Sequence, residues 1–146
     1  MKGLLSSLTA VTVGAMLSAG ALLAGSAQAA TEEPTSSAWQ WLELLDHGKY
    51  AESWAEGSAL FRSRITERSW ESKVQIFHEA VGTIVWRDVL GVSVVADPSG
   101  LPRGQYAVVH YKSKFSQAAP GKSEYEETVT LILENGLWRV ATYDIK

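Results

Sequence analysis

Two arginines and one glutamate are the side chains best suited to do chemistry in this sequence. Arg87 and Arg139 fall inside strand-like stretches, beside Trp86 and Trp138. A guanidinium stacks on aromatic rings and grips carboxylates through paired hydrogen bonds, so either arginine can hold an anionic group. Glu127 shares the parity of Val129 and Leu131 in an alternating run, which turns it inward near a sheet end. A carboxylate withdrawn from water in that way has a raised pKa and can serve as a general base. Tyr111 lies on the apolar side of its own alternating run. Arg87, Tyr111, Glu127 and Arg139 therefore form the candidate ligand-binding set. The same residues admit a structural reading, in which an arginine ties neighbouring strands through Glu127 and nothing is left over for a ligand.

Other chemistries find less support. His47, His78 and His110 are far apart, with no H-x-x-x-H or H-x-H spacing, so no metal site is expected and all three are placed on the solvated surface. No G-x-S-x-G surrounds any serine, and the chain has no cysteine. Thiol nucleophiles, thiolate metal sites, disulfides and a cysteine-linked lipid anchor are excluded together. His110, Lys112 and Lys114 make a short basic row on one strand face, read as a solvated surface or a patch for an acidic partner. No cofactor is implied.

The elements that position these residues follow from the pattern of the chain. Met1-Lys2-Gly3 is a short positive start, Leu4 to Leu23 is apolar and small, and Ala27-Gln28-Ala29 is an A-x-A cleavage site. That three-part arrangement predicts a cleavable secretion signal over residues 1–29 and an exported protein, periplasmic or extracellular, with no membrane span after cleavage. Residues 30–36 read as a flexible leader and 37–146 as a single domain. The mature chain keeps 12 basic and 16 acidic residues, a net charge of -4, which speaks against a nucleic-acid partner.

Ser37 and Gln40 suggest a capping box opening a first helix, with Gly48 just past its end. A second helix is predicted from about Lys49, bringing Tyr50, Trp54 and Phe61 to one face. Thr66 caps a third, on which Trp70, Val74, Phe77 and Val81 form an apolar stripe ended by Gly82. Four strands follow, over about 83–95, 105–115, 124–133 and 137–145. The last two are joined by Asn135-Gly136, a strong hairpin signal. Three helices followed by four strands predict an α+β fold, with the helices packed on one face of a curved antiparallel sheet.

An ordered series of residues adds a resemblance. Ser53-Trp54, Ser58, Phe61-Arg62, Trp70, Gly82 and Arg87 begin it. Leu101-Pro102, Gly104-Gln105-Tyr106, Phe115, Glu127-Thr128-Val129 and Trp138-Arg139-Val140 continue it. In these the chain resembles, from about Trp41 to Ile145, a family of small secreted bacterial proteins called domain of unknown function 4019. One departure is Thr142, where the family pattern has Gly before Tyr143; it bears on the bend of the last strand. The resemblance implies a bacterial periplasmic setting and a cystatin-like or nuclear-transport-factor-two-like cone, and it brings no catalytic residues.

Cone folds of that kind often hold a ligand between sheet and helices, and some work as isomerases with a buried carboxylate and a Tyr donor. By that analogy Glu127 or Asp88 is the base, Tyr111 the donor, and Asp144 a further carboxylate. Three functions are thus in view. The first is a non-catalytic module binding a small ligand, a peptide or an envelope protein. The second is a small isomerase or hydratase. The third is a structural envelope protein, with its open sheet face as the place for a homodimer contact. An interior in which Glu127 is paired with arginine speaks against the second.

Overall fold

The computed structural model describes residues 33–117 and 119–146. The predicted secretion signal (1–29) and the first residues of the predicted leader lie outside the described residues. Four helices precede four strands: α1 (Pro34–Asp46), α2 (Tyr50–Glu56), α3 (Ala59–Arg64), α4 (Glu67–Val81), β1 (Ile84–Ala96), β2 (Gln105–Phe115), β3 (Tyr125–Glu134) and β4 (Leu137–Ile145). The strands form one antiparallel meander in the order β1-β2-β3-β4. The α+β class, the segregation of helices from strands and the four-stranded sheet are as the sequence predicts.

The first helix starts earlier than the capping-box reading places it. Pro34 opens α1, and Glu33 precedes it without a side-chain cap. Proline presets the helical φ and has no N–H to satisfy, so it suits the first turn. Ser37 is therefore a buried residue inside the helix, not its cap, and residues 34–36 are helical and do not belong to a leader. Ala38, Trp41, Leu42 and Leu45 bury one face of α1 against the sheet. Gly48, at φ +72°, ends the helix in the left-handed conformation that glycine adopts without strain.

The second predicted helix is two. Gly57 and Ser58 are both extended and break the chain between Trp54 and Phe61. The break has identifiable partners. The Ser58 N–H donates to the Val140 carbonyl of β4, and the Ser58 side chain accepts from the Phe61 N–H to cap α3. A Cβ at position 57 would lie 2.5 Å from the Phe61 ring, so glycine is needed for the close approach. Thr66 caps α4 through the Ser69 N–H, and Trp70, Val74 and Val81 are buried along the expected stripe.

The core lies between the helices and the inner face of the sheet. Trp41, Phe61, Trp70, Val109, Tyr111, Val129, Leu131 and Val140 belong to one continuous cluster. Trp41, Phe61 and Trp70 meet with ring centroids 4.9–6.0 Å apart, in edge or tilted contacts that suit aromatic quadrupoles. The Trp41 and Trp70 indole N–H groups both reach Ser53, at its carbonyl and hydroxyl, so no indole donor is stranded. Asn135 and Gly136 both have positive φ, as a type I′ turn between β3 and β4 requires.

Register shifts interrupt the ladder near Val85, Leu90 and Ala141. Each inserts one extra residue and reverses which parity faces inward. In β4, Trp138 and Val140 face the core, and beyond Ala141 it is Tyr143 that does so. The bend expected from a glycine at 142 is thus made by a bulge beside Thr142.

Candidate functional site

The inner face of the sheet carries a buried charge cluster. Arg87 projects from β1 and is nearly inaccessible. Its Nε donates to Glu127 Oε1 at 2.7 Å and its Nη2 to Glu127 Oε2 at 3.3 Å. Its Nη1 and Nη2 also donate to the two carboxylate oxygens of Asp46, at 2.6 and 3.0 Å. One guanidinium is therefore shared by two carboxylates, each held in two-point fashion. The Tyr143 hydroxyl completes the cluster by donating to Glu127 Oε2 at 2.7 Å. Glu127 has no exposed surface, and both of its oxygens accept at least one hydrogen bond.

The electrostatics follow from burial. Desolvation alone would lower the pKa of Arg87, but the hydrogen bonds and charges of Asp46 and Glu127 outweigh it and the pKa is raised. Tyr143 is pushed well above the ordinary phenol range, first by burial and then by the adjacent Glu127 charge. It stays protonated as a donor. Tyr111 is pushed up to about 12, again chiefly by burial. Ser113 stands opposite Arg87 across β1 and β2, and its buried Oγ has no hydrogen-bond partner among the described residues.

Tyr111 does not join the cluster by a hydrogen bond. It pairs across the sheet with Glu127, but its hydroxyl points toward the Thr35 carbonyl of α1, at a marginal 3.5 Å. Arg139 lies elsewhere. It bonds the carbonyl and carboxylate of Glu56, both at 3.3 Å, at the mouth of an open cleft. That cleft, about 360 Å³, runs between α1, α2 and β4. Trp41, Leu44, Leu137 and Trp138 give it an apolar lining, while Gln40, Glu52, Glu56 and Arg139 supply polar groups.

Five further residues are placed as follows. Asp88 and Asp144 are exposed, and Asp88 sits opposite Lys112 on the outer face. His47 and His110 are exposed, with ring nitrogens near the Glu43 carbonyl and the Thr128 hydroxyl. His78 is a correction to the surface assignment. It is half-buried, packed against Tyr50, Phe77 and Phe115. Its pKa is lowered by burial, although the charges of Asp46 and Glu127 pull the other way. Among the described residues no three His, Asp or Glu side chains are grouped to hold a metal ion, and no helix is long and apolar enough to cross a membrane.

Asp46 and Tyr143 were not among the predicted site residues. Asp46 had one signal: a carboxylate in the last turn of a helix opposes the helix dipole and calls for a compensating cation. Tyr143 had none, because strict alternation from Trp138 and Val140 turns it outward and only the bulge at Ala141 brings it in.

The sequence pattern of a known family matches residues 37–143 of this chain. The chain belongs to the family described as protein of unknown function (DUF4019). No curated protein matches this DUF4019 chain. Among solved structures it is similar to an NTF-2-like protein of unknown function from Silicibacter pomeroyi DSS-3, at 17% identity and a TM-score of 0.36, over 77% of this chain and 98% of that one.

Proposed function

We propose that this DUF4019 domain is an exported, non-catalytic binding module, with the cleft between α1, α2 and β4 as its ligand site. The observation that carries the reading is the state of Glu127. A general base needs a free lone pair facing a substrate, and here both carboxylate oxygens are engaged by Arg87 and Tyr143 in a site closed to solvent. Tyr111 offers no substitute, because it is fully buried and its hydroxyl is turned toward the Thr35 carbonyl of α1. The isomerase or hydratase reading gains nothing from this geometry.

The cleft has what a recognition site needs. Its apolar lining is flanked by hydrogen-bonding groups of both signs, Glu52 and Glu56 on α2 and Arg139 on β4. Glu56 and Arg139 are partly exposed and bonded to each other, so a ligand can exchange that contact without stranding a buried charge. Export is supported by the Lys2 start, the apolar run that follows it and the Ala27-Gln28-Ala29 site.

The test is native purification of the protein followed by mass spectrometry of whatever small molecules and peptides accompany it, repeated for Arg139→Glu and Trp138→Ala. A compound that travels with the wild type and is lost from both variants supports the cleft. A compound retained by both, or one that the wild type chemically transforms, overturns the reading.

A further inference from the structure

Nine large hydrophobic side chains are exposed among the described residues, and six belong to β1: Val85, Val89, Leu90, Val92, Val94 and Val95. β1 is also the longest strand and lies at an edge of the sheet, so one side of its backbone has no partner among the described residues. Natural edge strands are usually short, or guarded by lysine, proline or an inward charge. From Val89 to Ala96 the sequence carries no charge and no proline. After the bulge at Leu90, Gly91–Ala96 pairs with β2 residue for residue, which makes it a regular and open template.

The inner face of this strand is bare as well. Val89, Val92 and Val94 stand opposite Tyr111, Val109 and Ala107 of β2. Those three partners are fully buried, whereas the valines are 45%, 51% and 61% exposed. Helix α1 packs on β2 and meets β1 at Arg87 through Asp46, leaving Val89, Val92 and Val94 exposed. Its own exposed Trp39 leans over Tyr111, with ring centroids 6.4 Å apart, and continues the apolar surface.

We propose that β1 is a self-association strand, pairing antiparallel with β1 of a second copy to give a continuous eight-stranded sheet. A second copy fits because the strand complements itself. With the two-fold axis at Ser93, Val92 of each copy lies beside Val94 of the other on the inner face. On the outer face Gly91 leaves room for Val95. No charge on Val89–Ala96 opposes its own image, although the mature chain is acidic overall. The size is also adequate. The six side chains are 41–61% exposed, and with Trp39 and the free backbone edge they offer each copy apolar area toward the roughly 800 Å² a side of a standard interface. The proposal goes beyond the binding reading and uses none of the cleft residues.

The experiment is sedimentation of the protein obtained by expressing the full chain, over a wide concentration range, for the wild type, Val92→Lys, Val94→Lys and Ile76→Lys. All three positions are exposed, and unchanged circular dichroism shows that each variant is folded. A wild-type dimer that weakens at least tenfold with lysine at 92 or 94, but not at 76 on α4, supports the proposal. So does concentration-dependent protection of the Gly91–Ala96 amides against hydrogen exchange. A monomeric wild type at every concentration overturns it, as does a dimer indifferent to lysine at 92 and 94.

Discussion

Asp46 occupies an unfavourable position, a carboxylate in the last turn of α1 where the helix dipole prefers a cation. Arg87 resolves the conflict by reaching it from β1, and the same guanidinium neutralises Glu127. Such a cluster stabilises only while it is complete, because removing one member leaves the others charged and dehydrated. Glu127→Gln is expected to lower stability by roughly 3 kcal/mol, and Arg87→Met, which leaves two buried carboxylates unpaired, by more. Chemical denaturation checks both, and an unchanged midpoint for Glu127→Gln would show that the cluster does not hold the fold. His78 adds a pH dependence. Burial holds its folded-state pKa below the ordinary histidine value of about 6.5, so the unfolded chain takes up a proton first as pH falls. Stability should decline from about pH 6.5 downward until the folded-state pKa is reached. A His78→Phe variant should lose that part of the slope in melting curves recorded between pH 7.5 and 5.

Trp70 makes the case for element-level reading. The i, i+4, i+7 and i+11 stripe placed α4 correctly, and Trp70 is buried where the stripe requires it. Trp70→Ala should cost roughly 3 to 5 kcal/mol by leaving a cavity between α4 and the sheet. A fall of only a degree or two in melting temperature would contradict that packing. Periodicity and caps made α4, the last three strands and the Asn135-Gly136 turn legible. They failed where tertiary partners decide the outcome. The Gly57-Ser58 break exists because Ser58 bonds Val140, a residue 82 positions away. The inward turn of Tyr143 exists because Ala141 is bulged. Half of the charge cluster, Arg87 and Glu127, was readable as inward-facing charge within strands. Tyr143 was hidden by that bulge, and the pairing of Asp46 by the 41 residues that separate it from Arg87.

At the scale of the molecule, the domain separates its charged interior from its open surfaces. The cluster sits under the helices, the cleft opens beside β4, and the apolar edge lies at β1 on the opposite side of the meander. Ligand binding and self-association can therefore proceed without competing for one surface. If residues 1–29 are a cleaved signal, the mature protein should begin at Ala30, four residues before Pro34 opens α1. Intact-mass measurement of the protein secreted from a bacterial host checks this. Retention of Met1, or cleavage within α1, would contradict the export reading.

The charge cluster also has a temporal side. Arg87 lies 41 residues from Asp46 and 40 from Glu127, whereas the hairpins of the meander join neighbours in sequence. Contacts between distant residues close the largest loops, and that closure is entropically the slowest to reward. The meander can thus form first and α1 can dock last, with the Arg87 bonds acting as a latch on a sheet already made. Loss of the latch should then quicken unfolding several-fold while refolding keeps its rate. Stopped-flow traces of Arg87→Met against wild type would separate the two limbs; equal slowing of refolding would place the latch in the folding nucleus instead.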